Sequence, residues 1–185
     1  MLKSTLNPVL LQLNDLMTAR TKLLSQVNSI KTFINELKNV SEKGIQKTLE
    51  KSYKKAIEGM LLSIKSLEDE IKKLIAENQD IQKNYKLLLS VPGIGHFTAV
   101  YLIGCTNNFA GKISGKQLAS YAGVVPFEYS SGISVRGRKK VHPMANKELK
   151  SMLYMCAMSA IQHYPEFKQY YERKEKEGKH GWSIM

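Results

Sequence analysis

A seven-residue apolar repeat runs through roughly the first 80 positions and limits the fold more than any other feature of the chain. Val9, Leu16, Leu23, Ile30 and Leu37 form one row, and Leu13, Arg20, Val27 and Ile34 form a companion row displaced by four. That spacing puts both rows on one face of a helix. A second pair of rows follows, Tyr53, Met60, Leu67, Leu74 and Ile81 with Ile57, Ile64, Ile71 and Asn78. Between the two lie Asn39, Ser41 and Gly44, which supply stop and start signals. Each helix is then about 30 residues, or roughly 45 Å at ~1.5 Å per residue. The spacing predicts a long antiparallel coiled-coil hairpin over residues 1–84. The alternative, a buried pair of core helices, fits strict seven-residue spacing less well. Arg20 and Asn78 break their rows near opposite sequence ends, so antiparallel pairing is expected to bring them together, where polar residues can fix register. Leu10, Leu11, Leu24, Leu61 and Ile75 widen the apolar surface beyond a narrow stripe, which predicts a homo-oligomer joined through the coiled coil.

Charge narrows the class of partner. The 185 residues include 28 Lys and Arg against 16 Asp and Glu, a formal charge of +12, with a pI near 9.6. The excess points to a polyanion. Apolar residues make up 43% and charged residues 24%, which is globular composition and excludes wholesale disorder. No apolar run approaches the ~20 residues that cross a bilayer, and the N-terminus lacks the core and cleavage site of a signal peptide. A soluble, cytoplasmic protein with no membrane partner is expected. Cys105 and Cys156 sit among apolar residues and read as small core residues, not as a disulfide or metal pair.

Both halves are basic, with different layouts. Up to Ser90 there are 15 basic and 10 acidic residues, interleaved as on a solvated helix face. Later the charge is concentrated, with Arg136, Arg138, Lys139, Lys140, Lys147 and Lys150 opposed only by Glu148 between Arg136 and Lys150. The second half, residues 85–185, reads as a small, mostly helical domain. In LLLSVPGIGHFTAVYLIG a helix ends near Ser90, Pro92, Gly93 and Gly95 make a turn, and an apolar helix starts at about His96. This looks like a helix-hairpin-helix, whose glycines let a phosphate reach backbone N–H groups at a helix N-terminus. Gly93, Gly95 and Thr98 are its DNA-binding candidates. An ordinary glycine-capped turn is the plain alternative, and the basic composition favours phosphate binding over it.

A short helical stretch follows at Gln117 to Ala122, then a break at Gly123 to Pro126. The segment FEYSSGISVRGRKKV, Phe127 to Val141, reads as an exposed loop or a short β-hairpin. Helical pattern returns from about Ala145, with Leu149, Met152, Leu153, Cys156, Ala157 and Ala160 on one face and Lys147 and Lys150 outside it. A last helix starts near Pro165. The fold class is therefore mainly α, a helical hairpin followed by a small helical domain with one basic insertion.

Within that insertion Ser130 and Ser131, next to Gly132 and the cluster Arg136, Arg138, Lys139 and Lys140, are the best candidates for reactive groups. A serine hydroxyl needs activation, and attack on a phosphodiester builds negative charge that guanidinium and ammonium groups stabilise. Residue types alone leave this level with ordinary loop composition. No metal motif is present: His96, His163 and His180 lack ligand spacing, and no Walker lysine follows GIG. After Ser90 there is no Asp, so a self-contained two-metal nuclease is not expected.

The blocks LLSVPGIGHFTAVYLIG, KQLASYAGVVPFEYSSGISVRGR and ANKELKSMLYMCAMSAI together resemble the C-terminal domain of insertion-sequence transposases of the one-ten family, also called the one-sixteen and nine-oh-two group. The resemblance covers roughly Leu87 to Gly178, and the heptads before it resemble the connector of the same proteins. It implies a two-part bacterial recombinase in which an acidic N-terminal domain holds a divalent metal, Mg, and the C-terminal domain supplies a nucleophilic serine in a Ser-Gly pair. By position that serine is Ser131, with Ser130 as the neighbour. The implied step is a covalent phosphoserine with DNA followed by strand exchange, and a guide RNA is a second implied partner. The acidic domain does not precede the heptads here, so a fragment inactive by itself, with no cofactor of its own, is expected. Ala145 stands where the family usually has Gly, and Lys150 where it usually has Arg, which loses the planar fork of a guanidinium. A non-catalytic helix-hairpin-helix architectural protein with a coiled-coil oligomerisation module is the alternative, and a pure assembly module is a third reading.

Overall fold

In the computed structural model, residues 7–37, 43–111, 113–126, 130–131, 135–136 and 141–184 are described. The chain is mainly helical and divides into two compact units, Met1–Gln82 and Lys83–Met185. No helix among the described residues is long and apolar enough to cross a membrane.

The first unit holds α1, Pro8–Leu37, and α2, Lys43–Glu77. Every described residue of the four seven-residue rows is buried or half-buried, and Leu10, Met17 and Ile75, outside those rows, are buried as well. Arg20 Nε donates to Glu68 Oε1 at 2.8 Å, and the Phe33 and Tyr53 rings meet edge to face with centroids 6.2 Å apart. One contact pairs a low number with a high one and the other pairs two middle numbers, so α1 and α2 run antiparallel. That register corrects one expectation. Arg20 lies opposite Glu68, about ten residues or ~15 Å along the helix from Asn78. Asn78 turns its amide back onto the Leu74 carbonyl at 2.8 Å and interrupts the helix, so that α3, Gln79–Leu89, begins as a separate element. The Asn side chain competes with the backbone ladder, the usual reason this residue ends helices. Asn78, the one amide of the companion row, therefore separates Ile81 from the rest of its own row.

The second unit contains α4, His96–Cys105; α5, Gly115–Tyr121; β1, Ser130–Ser131; β2, Val135–Arg136; α6, Lys147–His163; α7, Pro165–Lys176; and α8, Gly181–Ile184. Its core forms where Leu102 of α4, Ala122 after α5 and Leu149 of α6 meet, flanked by Leu88, Tyr101, Phe109 and Leu153. Burying each large apolar side chain there contributes about 1.5–3 kcal/mol. α5 begins at a capping box, Ser114 with Gln117, two residues earlier than its sequence pattern suggests. α6 begins after Asn146, whose Oδ1 accepts from the Leu149 N–H at 2.9 Å. After α4 the chain turns through Asn107, Asn108 and Phe109, all at positive φ (52°, 53° and 60°). Asn84 Nδ2 donates to the carbonyl of Asn108 at 3.1 Å and to its Oδ1 at 2.9 Å, holding that turn.

α7 stops two residues before Gly178. Gly178 takes φ +79°, and the Lys179 N–H reaches back to the Lys174 carbonyl at 3.2 Å. This is a glycine-terminated helix end. α8 follows, with Trp182 stacked on Tyr154 of α6 at 4.7 Å.

Candidate nucleic-acid interface

The turn between α3 and α4 is built by its own residues. Ile94 N–H bonds the Val91 carbonyl at 3.1 Å, with Pro92 second and Gly93 third at φ +84°. These are the preferences of a type II turn, which requires positive φ at its third position. Gly93 is also pressed against α6: a Cβ there would overlap the carbonyl oxygen of Cys156 and lie 3.2 Å from the Ala160 methyl. Packing thus accounts for this glycine. Gly95 differs. It is exposed, sits at φ −91° as the N-cap of α4 with no side-chain cap, and a Cβ on it would meet nothing within 4 Å. Thr98, half-buried in the first turn of α4, directs its hydroxyl at α6, where Oγ1 accepts from Cys156 Sγ at 3.5 Å.

The basic insertion is a short β-hairpin where it is described. Antiparallel pairing sets Ser130 opposite Arg136 and Ser131 opposite Val135. Gly132, Arg138, Lys139 and Lys140 lie outside the described residues. Lys147 and Lys150 are exposed in the first turn of α6, the end of a helix where its dipole disfavours cations.

Sequence reading missed the residue that ties these elements together. Asn146 caps α6, accepts from Tyr101 Oη of α4 at 3.1 Å, donates through Nδ2 to Tyr121 Oη of α5 at 3.1 Å, and gives its backbone N–H to the Tyr121 carbonyl at 2.8 Å. Its one legible signal was an Asn three residues before an apolar helical residue. Tyr101 Oη also lies 3.3 Å from Glu148, and burial holds the Tyr101 phenol above its ordinary pKa. Gly123, at φ +69°, faces Ala145: a Cβ at 123 would come within 2.7 Å of the Ala145 methyl. Ala145 thus fits because position 123 carries no side chain.

Among the described residues no three His, Cys, Asp or Glu side chains converge to hold a metal ion. An apolar groove of about 550 Å³ runs along Val91, Pro92, Cys156, Phe167 and Tyr170 and carries no group suited to phosphate chemistry.

Residues 85–172 match the sequence model of the transposase IS116/IS110/IS902 family. This C-terminal region belongs to that transposase family. The matched span contains the α3–α4 turn, the β-hairpin and α6 of the transposase region. Similar proteins include the pilin gene-inverting protein of Moraxella bovis, 35% identical over 118 residues, 63% of this chain and 37% of that protein. The insertion element IS110 uncharacterized 43.6 kDa protein of Streptomyces coelicolor is 32% identical over 93 residues, covering 50% of this chain and 23% of that one. The transposase for insertion sequence element IS1328 of Yersinia enterocolitica is 30% identical over 106 residues, 54% of this chain and 28% of its own. The aligned part of this chain thus spans about 37% of the first of these relatives and less of the others.

Proposed function

We propose that this chain is the assembly and serine-bearing part of a DNA transposase. Ser131 is its nucleophile, with Ser130 as neighbour, and DNA is its substrate. The carrying observation is that the family match at 85–172 encloses a hairpin that holds the Ser130–Ser131 pair beside the basic strand, with Ser130 directly opposite Arg136 and Ser131 the next residue along. The relatives are named for inverting a pilin gene and for transposing an insertion element, and both acts rearrange DNA. In the step, the Ser131 Oγ–phosphorus bond forms and one phosphodiester P–O bond breaks. The serine proton is released and the departing sugar oxygen gains one, so charge balances. Arg136, with Arg138, Lys139 and Lys140, offsets charge on the phosphorus oxygens.

Backbone contact falls to the helix-hairpin-helix turn and α6. Gly95 is the open approach to the N-terminus of α4, since Gly93 is filled against Cys156. Thr98 supports that helix end. Lys147 and Lys150 hold a position that is unfavourable for the isolated helix and becomes favourable once a phosphate sits there. The paired α1 and α2 act as a coiled-coil oligomerisation module, and a structured RNA is a second partner. Strand exchange needs an acidic, Mg-binding domain in addition to these residues. The protein works in the cytoplasm on the nucleoid.

The test is a recombination assay with the acidic domain supplied on the same chain or in trans. Ser131→Ala is expected to abolish the covalent protein–DNA adduct while leaving DNA binding intact, and Ser130→Ala to retain the adduct. Undiminished strand exchange by Ser131→Ala would leave the architectural reading in possession of the site.

A further inference from the structure

Charge along α2 is segregated. Lys43 to Lys55 holds five lysines and one glutamate, whereas Glu68 to Glu77 holds four acids and two lysines. In the acidic part the lysines are matched locally, Lys72 to Asp69 at 3.2 Å and Lys73 to Glu70 at 3.8 Å. In the basic part Lys54 reaches Glu58 only at 4.0 Å, with both side chains largely exposed. Lys47, Lys51 and Lys55 have no ion-pair partner among the described residues. Their four-residue spacing stacks them on one face of the helix at ~6 Å steps.

These three lysines, with Thr48 and Ser52, line one shallow depression of about 570 Å³. The seam residues Tyr53, Ile57, Met60 and Ile64 are half-buried or buried, whereas the lysines are exposed, so the depression lies on the solvent side. Thr48 Oγ1 donates to the Gly44 carbonyl at 3.1 Å and Ser52 Oγ to the Thr48 carbonyl at 2.8 Å. Both hydroxyl protons are thus engaged, leaving the ammonium groups as the donors a ligand would meet. The surface is a row of point charges without an apolar anchor between them. A membrane surface is bound by apolar side chains together with charge, whereas a nucleic-acid backbone is itself a row of charges.

We infer that Lys47, Lys51 and Lys55 form a second nucleic-acid contact, a ridge on α2 that tracks a phosphodiester backbone independently of the serine-bearing unit. The inference rests on the reading of the chain as a nucleic-acid-acting protein. Its ligand chemistry is phosphodiester, shared by duplex DNA, single strands and structured RNA.

The test measures binding of the whole chain to labelled duplex DNA, single-stranded DNA and an RNA hairpin between about 50 and 200 mM salt, where phosphate contacts have a diagnostic slope. Three chains are compared: the unaltered one, the triple variant Lys47→Gln, Lys51→Gln and Lys55→Gln, and the double variant Lys147→Gln and Lys150→Gln in α6. Gln has nearly the helix propensity of Lys, so circular dichroism should be unchanged. On duplex DNA the triple variant is expected to reduce the logarithmic salt slope by about 2.7, and on a single strand by about 2. The duplex value corresponds to a roughly 40-fold smaller loss of affinity across that salt range. The arm in which the slope falls identifies the form of nucleic acid. Equal slopes for the triple variant and the unaltered chain in all three arms overturn the ridge. An unchanged slope for the α6 variant counts against the α6 contact above and leaves the ridge standing.

Discussion

Gly93 lies so close to Cys156 that a methyl group on the first would overlap the carbonyl oxygen of the second. The turn entering α4 and the middle of α6 are thereby joined through backbone, 63 positions apart in sequence. Gly93→Ala must displace α6 and also holds a Cβ at φ +84°. Overpacking costs about 1–3 kcal/mol and the left-handed backbone a further ~1–2 kcal/mol. Urea unfolding should show a loss of about 2–5 kcal/mol, the sum of those two ranges. Gly95→Ala meets open space, so its cost should be limited to that of replacing Gly by Ala at an N-cap, about 0.5–1 kcal/mol. A weaker affinity for DNA with an unchanged fold is the signature expected of Gly95→Ala if the turn clamps a phosphate.

The half-buried pair of Arg20 and Glu68 interrupts an otherwise apolar seam. Removing one partner strands the other, so Arg20→Ala should cost about 1–3 kcal/mol, between the values for exposed and buried pairs. Arg20→Leu together with Glu68→Leu restores an apolar seam and should raise the thermal midpoint. Loss of a single oligomeric state in that double variant, read by light scattering, would show that the pair fixes register.

Asn146→Ala removes the cap of α6 and leaves Tyr101 and Tyr121 without their amide partner. Loss of an N-cap costs about 1 kcal/mol, and the lost tyrosine bonds add about 0.5–1.5 kcal/mol each. Asn146→Asp keeps the cap acceptor but not the donor to Tyr121, so it should retain most of the helix while losing stability. Hydrogen exchange at the Leu149 amide separates the two variants: fast in Ala, protected in Asp.

Burial pushes the Cys105 thiol from its ordinary 9.0 up to about 11. Between those values the unfolded chain has released a proton that the folded chain keeps. Stability from this group is therefore full below pH ~9 and is lost as pH rises toward about 11. Iodoacetamide at pH 8 should label the half-buried Cys105 much more slowly in the folded chain than in urea. Ready labelling of native Cys105, read by peptide mass spectrometry, would contradict its burial.

Much of the architecture was legible because it depends on short-range periodicity. Seven-residue spacing picked out residues on the inward faces of α1 and α2, since helical geometry alone decides which residues share a face. The Pro-Gly turn before α4 and the short hairpin containing Ser130 were legible for the same reason: turn chemistry is local. Asn78 was not, because whether an amide sits in a seam or folds back onto its own helix depends on what lies opposite. The roles of Gly93 and Gly95 look alike in the string VPGIG, yet one packs against α6 and the other is open.

The amino-acid order by itself determined the helical class, the positive charge and the block pattern that places residues 85–172 in a transposase family. Tertiary structure alone decided that Arg20 meets Glu68, that Asn146 joins α4, α5 and α6, and that Lys47, Lys51 and Lys55 have no ion-pair partner among the described residues. The physical reason is range. Helix propensity and turn chemistry act over a few residues, whereas register, close backbone approach and charge pairing are set by which distant segments the packed core brings into contact.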